Sequence, residues 1–173
     1  MYPHEYIQYL AHFHGDRDYF ECHEILEDYW KNQARGNKDS VWVGLIQLAV
    51  SCYHHRRSNF RGAKKTLEKA VEIFKKEEQC LSSLSLNKME LFTLLNERYI
   101  AIEKNQPYSS FNLPINDPHL IQQCQTHCLK HGIIWGSHSD LNNNSLVDRH
   151  KLRDRTSIIS KRLCALKRNK GSE

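Results

Sequence analysis

The sequence predicts an all-α protein: a compact bundle of about six helices, followed by a basic C-terminal helix or tail. Three observations predict it. Glycine and proline are scarce, 7 and 4 among 173 residues, so long stretches carry no helix breaker. Apolar residues recur at helical spacing, as at positions 91, 92, 95, 99 and 102. No segment shows the apolar–polar alternation of a half-buried strand.

The elements follow in order. A first helix is expected from Pro3 to His14, because proline suits the first helical turn and Gly15 stops the run. A second runs from about Asp18 to Lys31, with Asp16 or Asp18 as its cap. Gly36-Asn37 breaks the chain, and a third helix spans Ser40 to about Arg57. Ser58-Asn59 makes a tight turn, and Asn59 caps a fourth helix from Phe60 to Lys76. A Ser-rich loop leads to a fifth helix over about Asn87 to Asn105. Pro107 to Pro118 reads as loop, and Asp117 caps a sixth helix that ends at His131 before Gly132. Gly136 to Ser145 is polar and reads as a linker, with residues 146–168 as a last, basic helix.

Charge divides the chain at the same place. Residues 1–148 carry 16 Lys/Arg against 18 Asp/Glu, whereas residues 149–170 carry nine Lys/Arg against Asp154 alone. Residues 1–135 are therefore expected to form one all-α domain, and residues 136–173 a polar linker and basic tail. Such a tail suits an acidic protein or a nucleic acid, reached through residues 149–170; it lacks the interleaved aromatics that base stacking needs. The N-terminus shows no basic and apolar export signal. The longest uncharged run, Ser40 to Tyr53, falls short of the roughly 20 residues that span a bilayer. Six cysteines occur with no CxxC pair, which favours reduced thiols over a zinc ribbon or a disulfide framework. A cytoplasmic protein without a membrane segment is the expectation.

Two helices carry the candidate chemistry. On a wheel of roughly 100° per residue, the second helix gathers Tyr19, Cys22, Leu26, Tyr29 and Trp30 on one side. His23 falls inside that stripe and Glu27 at its edge, at the i, i+4 spacing that lets them touch. The third helix is apolar nearly all round, except for a strip of Gln47, Ser51 and His54 bordered by Gly44, where another backbone has room to approach. Buried polar groups need partners, so a His23–Glu27–Gln47–His54 cluster is expected. Two imidazoles and a carboxylate can hold a divalent transition metal and leave positions open, with Gln47, Ser51 and Trp30 around the ligands His23, Glu27 and His54. The same groups could instead form a hydrogen-bond network that only fixes helix docking.

The run from His23 to Trp30 fits the pattern HxxxExxW. It is preceded by Asp18-Tyr19-Phe20-Glu21 and followed by Gly44-Leu-Ile-Gln47-Leu-Ala, His54 and Asn59-Phe-Arg-Gly62-Ala63. Together these resemble the domain-of-unknown-function family 309 of bacteria and archaea, closely over about residues 10–75 and more weakly to about 131. The resemblance implies a helical fold, no assigned activity, and a motif suggested to bind metal. This chain departs from it at Ser58, where the resemblance leads one to expect glycine.

Other groupings carry less. Cys124, His127, Cys128 and His131 share a helix face, but such a row extends about 10 Å, too far to surround one ion. Arg57 and Arg61 flank a turn that opens the fourth helix, where the backbone favours anions. The hairpin from Leu48 to Phe74 resembles a single tetratricopeptide repeat, without the further copies a solenoid requires. Two functions fit: a metal- or small-ligand-binding domain, which leaves open whether it is an enzyme, or a non-catalytic helical interaction module whose basic tail meets an anionic partner.

Overall fold

The computed structural model describes residues 1–33 and 36–149. Among these, eight helices are present: α1 (His4–His14), α2 (Tyr19–Gln33), α3 (Val41–Arg56), α4 (Phe60–Lys76), α5 (Glu78–Ser83), α6 (Lys88–Glu103), α7 (Pro118–Lys130) and α8 (Asn144–Val147). No strand forms among the described residues; a single antiparallel bridge joins Leu86 to Ile115. The short α5 lies in the stretch read as a Ser-rich loop, and the single turn α8 straddles the end of the expected linker and the first residues of the expected basic helix, which from residue 150 lies outside the described residues. No described helix is long and apolar enough to cross a membrane.

Capping fixes where the helices begin. Asp18 Oδ1 accepts the Glu21 N–H at 3.0 Å, Asn59 Oδ1 the Gly62 N–H at 3.0 Å, and Asp117 Oδ1 the His119 N–H at 2.8 Å. α3 is the centre: twelve of its 16 residues are buried, and it packs between α2 and α4. α4 meets it with Ala63, Leu67, Ala70 and Phe74, one face at helical spacing. The close approach at Gly44 is made by a side chain, not a backbone. A Cβ there would stand 2.6 Å from Phe74 Cε1. α1 lies against α2 and α7, burying Tyr6, Tyr9, Leu10 and Phe13. Its tyrosine hydroxyls are satisfied across the core, Tyr6 by the Leu84 carbonyl and Tyr9 by the Leu45 carbonyl, each at 3.0 Å.

The polar stretch expected to be a linker runs back over these helices as a strap. Gly136 N–H donates to the His14 carbonyl at 2.8 Å, and the Trp135 ring stacks on His14 at 4.5 Å between centroids. Ser139 N–H donates to Ser110 Oγ at 2.9 Å. Composition gave no sign of this, because the contacts run mostly through backbone atoms.

Two predictions follow from local conformation and burial. Ser58 sits at φ +55°, the left-handed region that glycine occupies without steric cost. Ser58→Gly should raise unfolding stability by roughly 0.5–1 kcal/mol in urea titration; an unchanged or lower midpoint would count against the strain. His14 is buried beneath Trp135, and burial, with Arg17 adding to it, lowers its pKa from 6.5 to about 3. The folded pKa lies below the unfolded one, so acid protonates the unfolded chain first. Stability should fall from about pH 6.5 toward 3 by up to ~1.4 kcal/mol per unit. His14→Gln should flatten that slope in denaturation midpoints taken at pH 7, 6 and 5.

Candidate functional site

The cap at Asp18 sets the phase of α2, turning Tyr19, Cys22 and Leu26 into the core and His23 to its margin. His23 is 29% exposed. Its Nδ1 lies 3.1 Å from Glu24 Oε1, and its Nε2 4.0 Å from Glu27 Oε2. One ligand atom each from His23, Glu24 and Glu27 falls within 4.8 Å of the others, all three residues half-buried. Glu27 also pairs with Lys31 at 3.2 Å. One imidazole and two carboxylates suit a divalent transition ion, and a set drawn from one helical turn leaves most coordination positions open.

His23 also lines a pocket of about 250 Å³ between α2 and α3. Tyr19 and Phe20 form the α2 wall, and Val50, Tyr53, His54 and Arg57 the α3 wall. His23 and His54 thus face one space, as the wheel predicts. His54 Nδ1 accepts from the Asn59 amide at 3.0 Å, which ties its ring to the turn that caps α4. Of the other expected members, Ser51 is turned toward α4, its hydroxyl donating to the Ala63 carbonyl at 2.8 Å. Gln47 is half-buried on α3 and outside the pocket wall. Trp30 packs against the core, and its indole N–H donates to the Asn37 carbonyl at 2.9 Å, fastening the loop between α2 and α3. Arg61 is exposed on α4.

Arg57 borders the pocket in a fixed pose. Its guanidinium lies 5.1 Å from the Tyr53 ring centroid, Nη1 donates to the Tyr53 hydroxyl at 3.2 Å, and Nε meets Asp148 Oδ1 at 2.7 Å. The next strap residue, Arg149, pairs with Asp18 and Glu21 at the start of α2 and lies over the Phe20 ring. Beneath the pocket, Arg56 is buried. Nη1 donates to the Arg17 carbonyl at 2.7 Å and to Ser139 Oγ at 3.0 Å, while Nη2 reaches the Leu146 carbonyl at 3.2 Å. Its charge also lies 5.0 Å from the Tyr19 ring centroid.

Helical wheels missed Glu24, which they place opposite His23's stripe, and Arg56, Asp148 and Arg149. The signal for Arg56 was present as a cation in the last turn of an apolar helix; the strap pair had none. Nearby thiols offer no nucleophile. Burial pushes the Cys22 thiol well up and Cys52 to about 12, and burial likewise raises Tyr19, whose hydroxyl is hydrogen-bonded to Tyr108.

A family described as a domain of unknown function, DUF309, matches residues 6–66. The chain is also 45% identical over 172 residues to the uncharacterized protein YpuF of Bacillus subtilis (strain 168), covering 99% of each chain. The chain belongs to the DUF309 family. The family match contains both pocket walls, and the likeness to YpuF extends through the strap. No solved structure matches.

Arg56 supplies the test of how the strap is held. Arg56→Lys keeps the charge but loses the planar fork that reaches Arg17, Ser139 and Leu146 together. It should cost about 1–3 kcal/mol in urea unfolding and speed amide exchange in residues 139–147. Wild-type stability with unchanged exchange would mean the fork does not hold the strap.

Proposed function

We propose that this DUF309 protein binds a divalent transition metal through His23, Glu24 and Glu27, and receives a small ligand beside it in the pocket between α2 and α3. The observation that carries this reading is the grouping of these three donors within 4.8 Å, with His23 itself on the pocket wall. A structural network would explain a buried His–Glu pair, but His23 and Glu27 are 29% and 34% exposed, so neither needs the other to escape desolvation. His54, opposite His23, offers a second imidazole to whatever enters.

The roles of the chain's own groups follow from their positions. His23 presents nitrogen, and Glu24 and Glu27 neutralise the positive charge of an ion, with Glu27 released from Lys31 to do so. The faces of Tyr19, Phe20 and Val50 make much of the pocket apolar, while Arg57 gives its α3 wall a fixed positive charge. When bound, a divalent ion would supply Lewis acidity and acidify a coordinated water.

Elemental analysis of untagged full-length protein, followed by titration with Zn²⁺ and Mn²⁺, tests the reading. Wild type is expected to take up about one ion per chain. At free metal 100-fold above Kd it should be stabilised by about 2.7 kcal/mol. His23→Ala should remain folded by circular dichroism and lose both effects. Wild type that takes up no metal under reducing conditions would sink the proposal and return the weight to the interaction-module reading.

A further inference from the structure

The strap meets the pocket at two consecutive residues that reach opposite walls. Asp148 lies on Arg57 of the α3 wall, and Arg149 lies on Asp18 and Glu21 and over Phe20 of the α2 wall. We propose that Asp148 fills the anion subsite of this pocket, standing in for a small organic ligand that has one carboxylate and an apolar body. The inference rests on reading the pocket as a ligand site.

Several observations point to a displaceable stand-in rather than a fixed part of the fold. Arg57 is posed without help from Asp148, by the Tyr53 ring below it and the Tyr53 hydroxyl at 3.2 Å. A guanidinium so placed keeps its charge at any physiological pH and selects a planar carboxylate. The Arg57–Asp148 pair is partly open to water, with side chains 18% and 34% exposed. A pair of that kind contributes little and exchanges readily for another carboxylate.

The strap is also anchored in two separate stages. Its base, residues 135–139, is held by the His14 stack, the His14 carbonyl, the Arg17 bond to the Ser137 carbonyl and Ser110. Its tip, residues 146–149, is held by Arg56 at the Leu146 carbonyl and by the two charged pairs. The tip can therefore leave the pocket without undoing the base.

The apolar part of the ligand follows from the rest of the wall. Tyr19, Phe20, Val50 and Tyr53 offer ring faces and a branched aliphatic group in about 250 Å³, room for a single ring or a short branched chain. A bare anion would leave those faces wet.

The test uses full-length protein stripped of metal, so that it does not depend on the His23 site. Benzoate is the probe, with acetate, benzyl alcohol and inorganic phosphate as comparisons, all followed by calorimetric titration. Asp148→Asn is expected to bind benzoate about three- to fivefold more tightly than wild type, the worth of the pair it removes. Arg149→Gln, which loosens the tip without touching Arg57, should shift affinity in the same direction by less, and it carries the test if the first variant fails to fold. Adding Arg57→Gln to Asp148→Asn should abolish the gain. Acetate should gain less than benzoate, and benzyl alcohol should gain nothing.

Equal benzoate affinity in wild type and both strap variants would overturn the proposal. So would a gain that survives loss of Arg57, or one shared by benzyl alcohol. A phosphate gain equal to that of benzoate would overturn the assignment to an apolar carboxylate. A benzoate response that persists when no metal ever binds would leave this inference standing and remove only the metal from the site.

Discussion

Two buried guanidiniums organise the molecule. Arg17, only 2% exposed and at φ +59° in the corner between α1 and α2, cannot shed its charge by deprotonation, so the fold must bring acceptors to it. They come from three segments, one local and two distant: the Phe13 carbonyl at 2.7 Å, the Phe111 carbonyl at 2.5 Å with Asn112 Oδ1 at 2.8 Å, and the Ser137 carbonyl at 2.7 Å. The loop before α7 and the strap after it are thereby drawn to one point. Arg56 extends the arrangement by donating to the carbonyl of Arg17 itself, and its buried Nε, without a hydrogen-bond partner, shares a side chain that lies against the Tyr19 ring.

From this constraint comes the layout of the pocket. The last turn of α3 carries His54, His55 and Arg56, with Arg57 at its cap, positions where the helix end favours positive charge. Because successive residues turn by roughly 100°, each meets different surroundings. His54 faces the pocket, His55 reaches the Gln106 carbonyl at 2.9 Å, Arg56 goes inward to the strap, and Arg57 returns to the pocket rim. One helical turn thus ties the binding wall to the segment that crosses it. Burial lowers the pKa of His55, and its ring packs there against Phe60 and Tyr108.

The sequence was most informative where the chain's own periodicity decides the outcome. The helix from Phe60 to Lys76 has the expected bounds, and the ends of the other long helices shift by no more than two residues, because caps such as Asp18, Asn59 and Asp117 act locally. The turn at Ser58 was marked only by the resemblance, which puts glycine there; its backbone, at φ +55°, is one that glycine adopts freely. Wheels put His23 and His54 on facing helices, and both line one pocket, without Glu27 or Gln47 in its wall. Ser51 does not join them, since its angle permits either neighbour and the Ala63 carbonyl on α4 takes it. Glu24 was hidden because a wheel places Cα atoms, while a flexible glutamate reaches sideways to His23 through its side-chain torsions. The strap was hidden more deeply, as its acceptors are the carbonyls of Ser137 and Leu146, which any residue would supply.

A donor set on one turn of α2 has a further consequence for selectivity. His23, Glu24 and Glu27 share one backbone, so ions of different size are met by small rotations of the same side chains rather than by a rigid cage. Such a set ranks divalent ions mainly by intrinsic affinity. On the proposed reading, discrimination then comes from the opposite wall, which belongs to the most deeply buried long helix among the described residues. α3 is buried along most of its length and locked to α4 where the Phe74 ring fills the space a side chain at Gly44 would need. A ligand that reaches from the α2 donors to His54 and Arg57 is therefore measured against a fixed surface. On the proposed reading, the length and charge of that ligand, more than the identity of the ion, would decide what this pocket accepts.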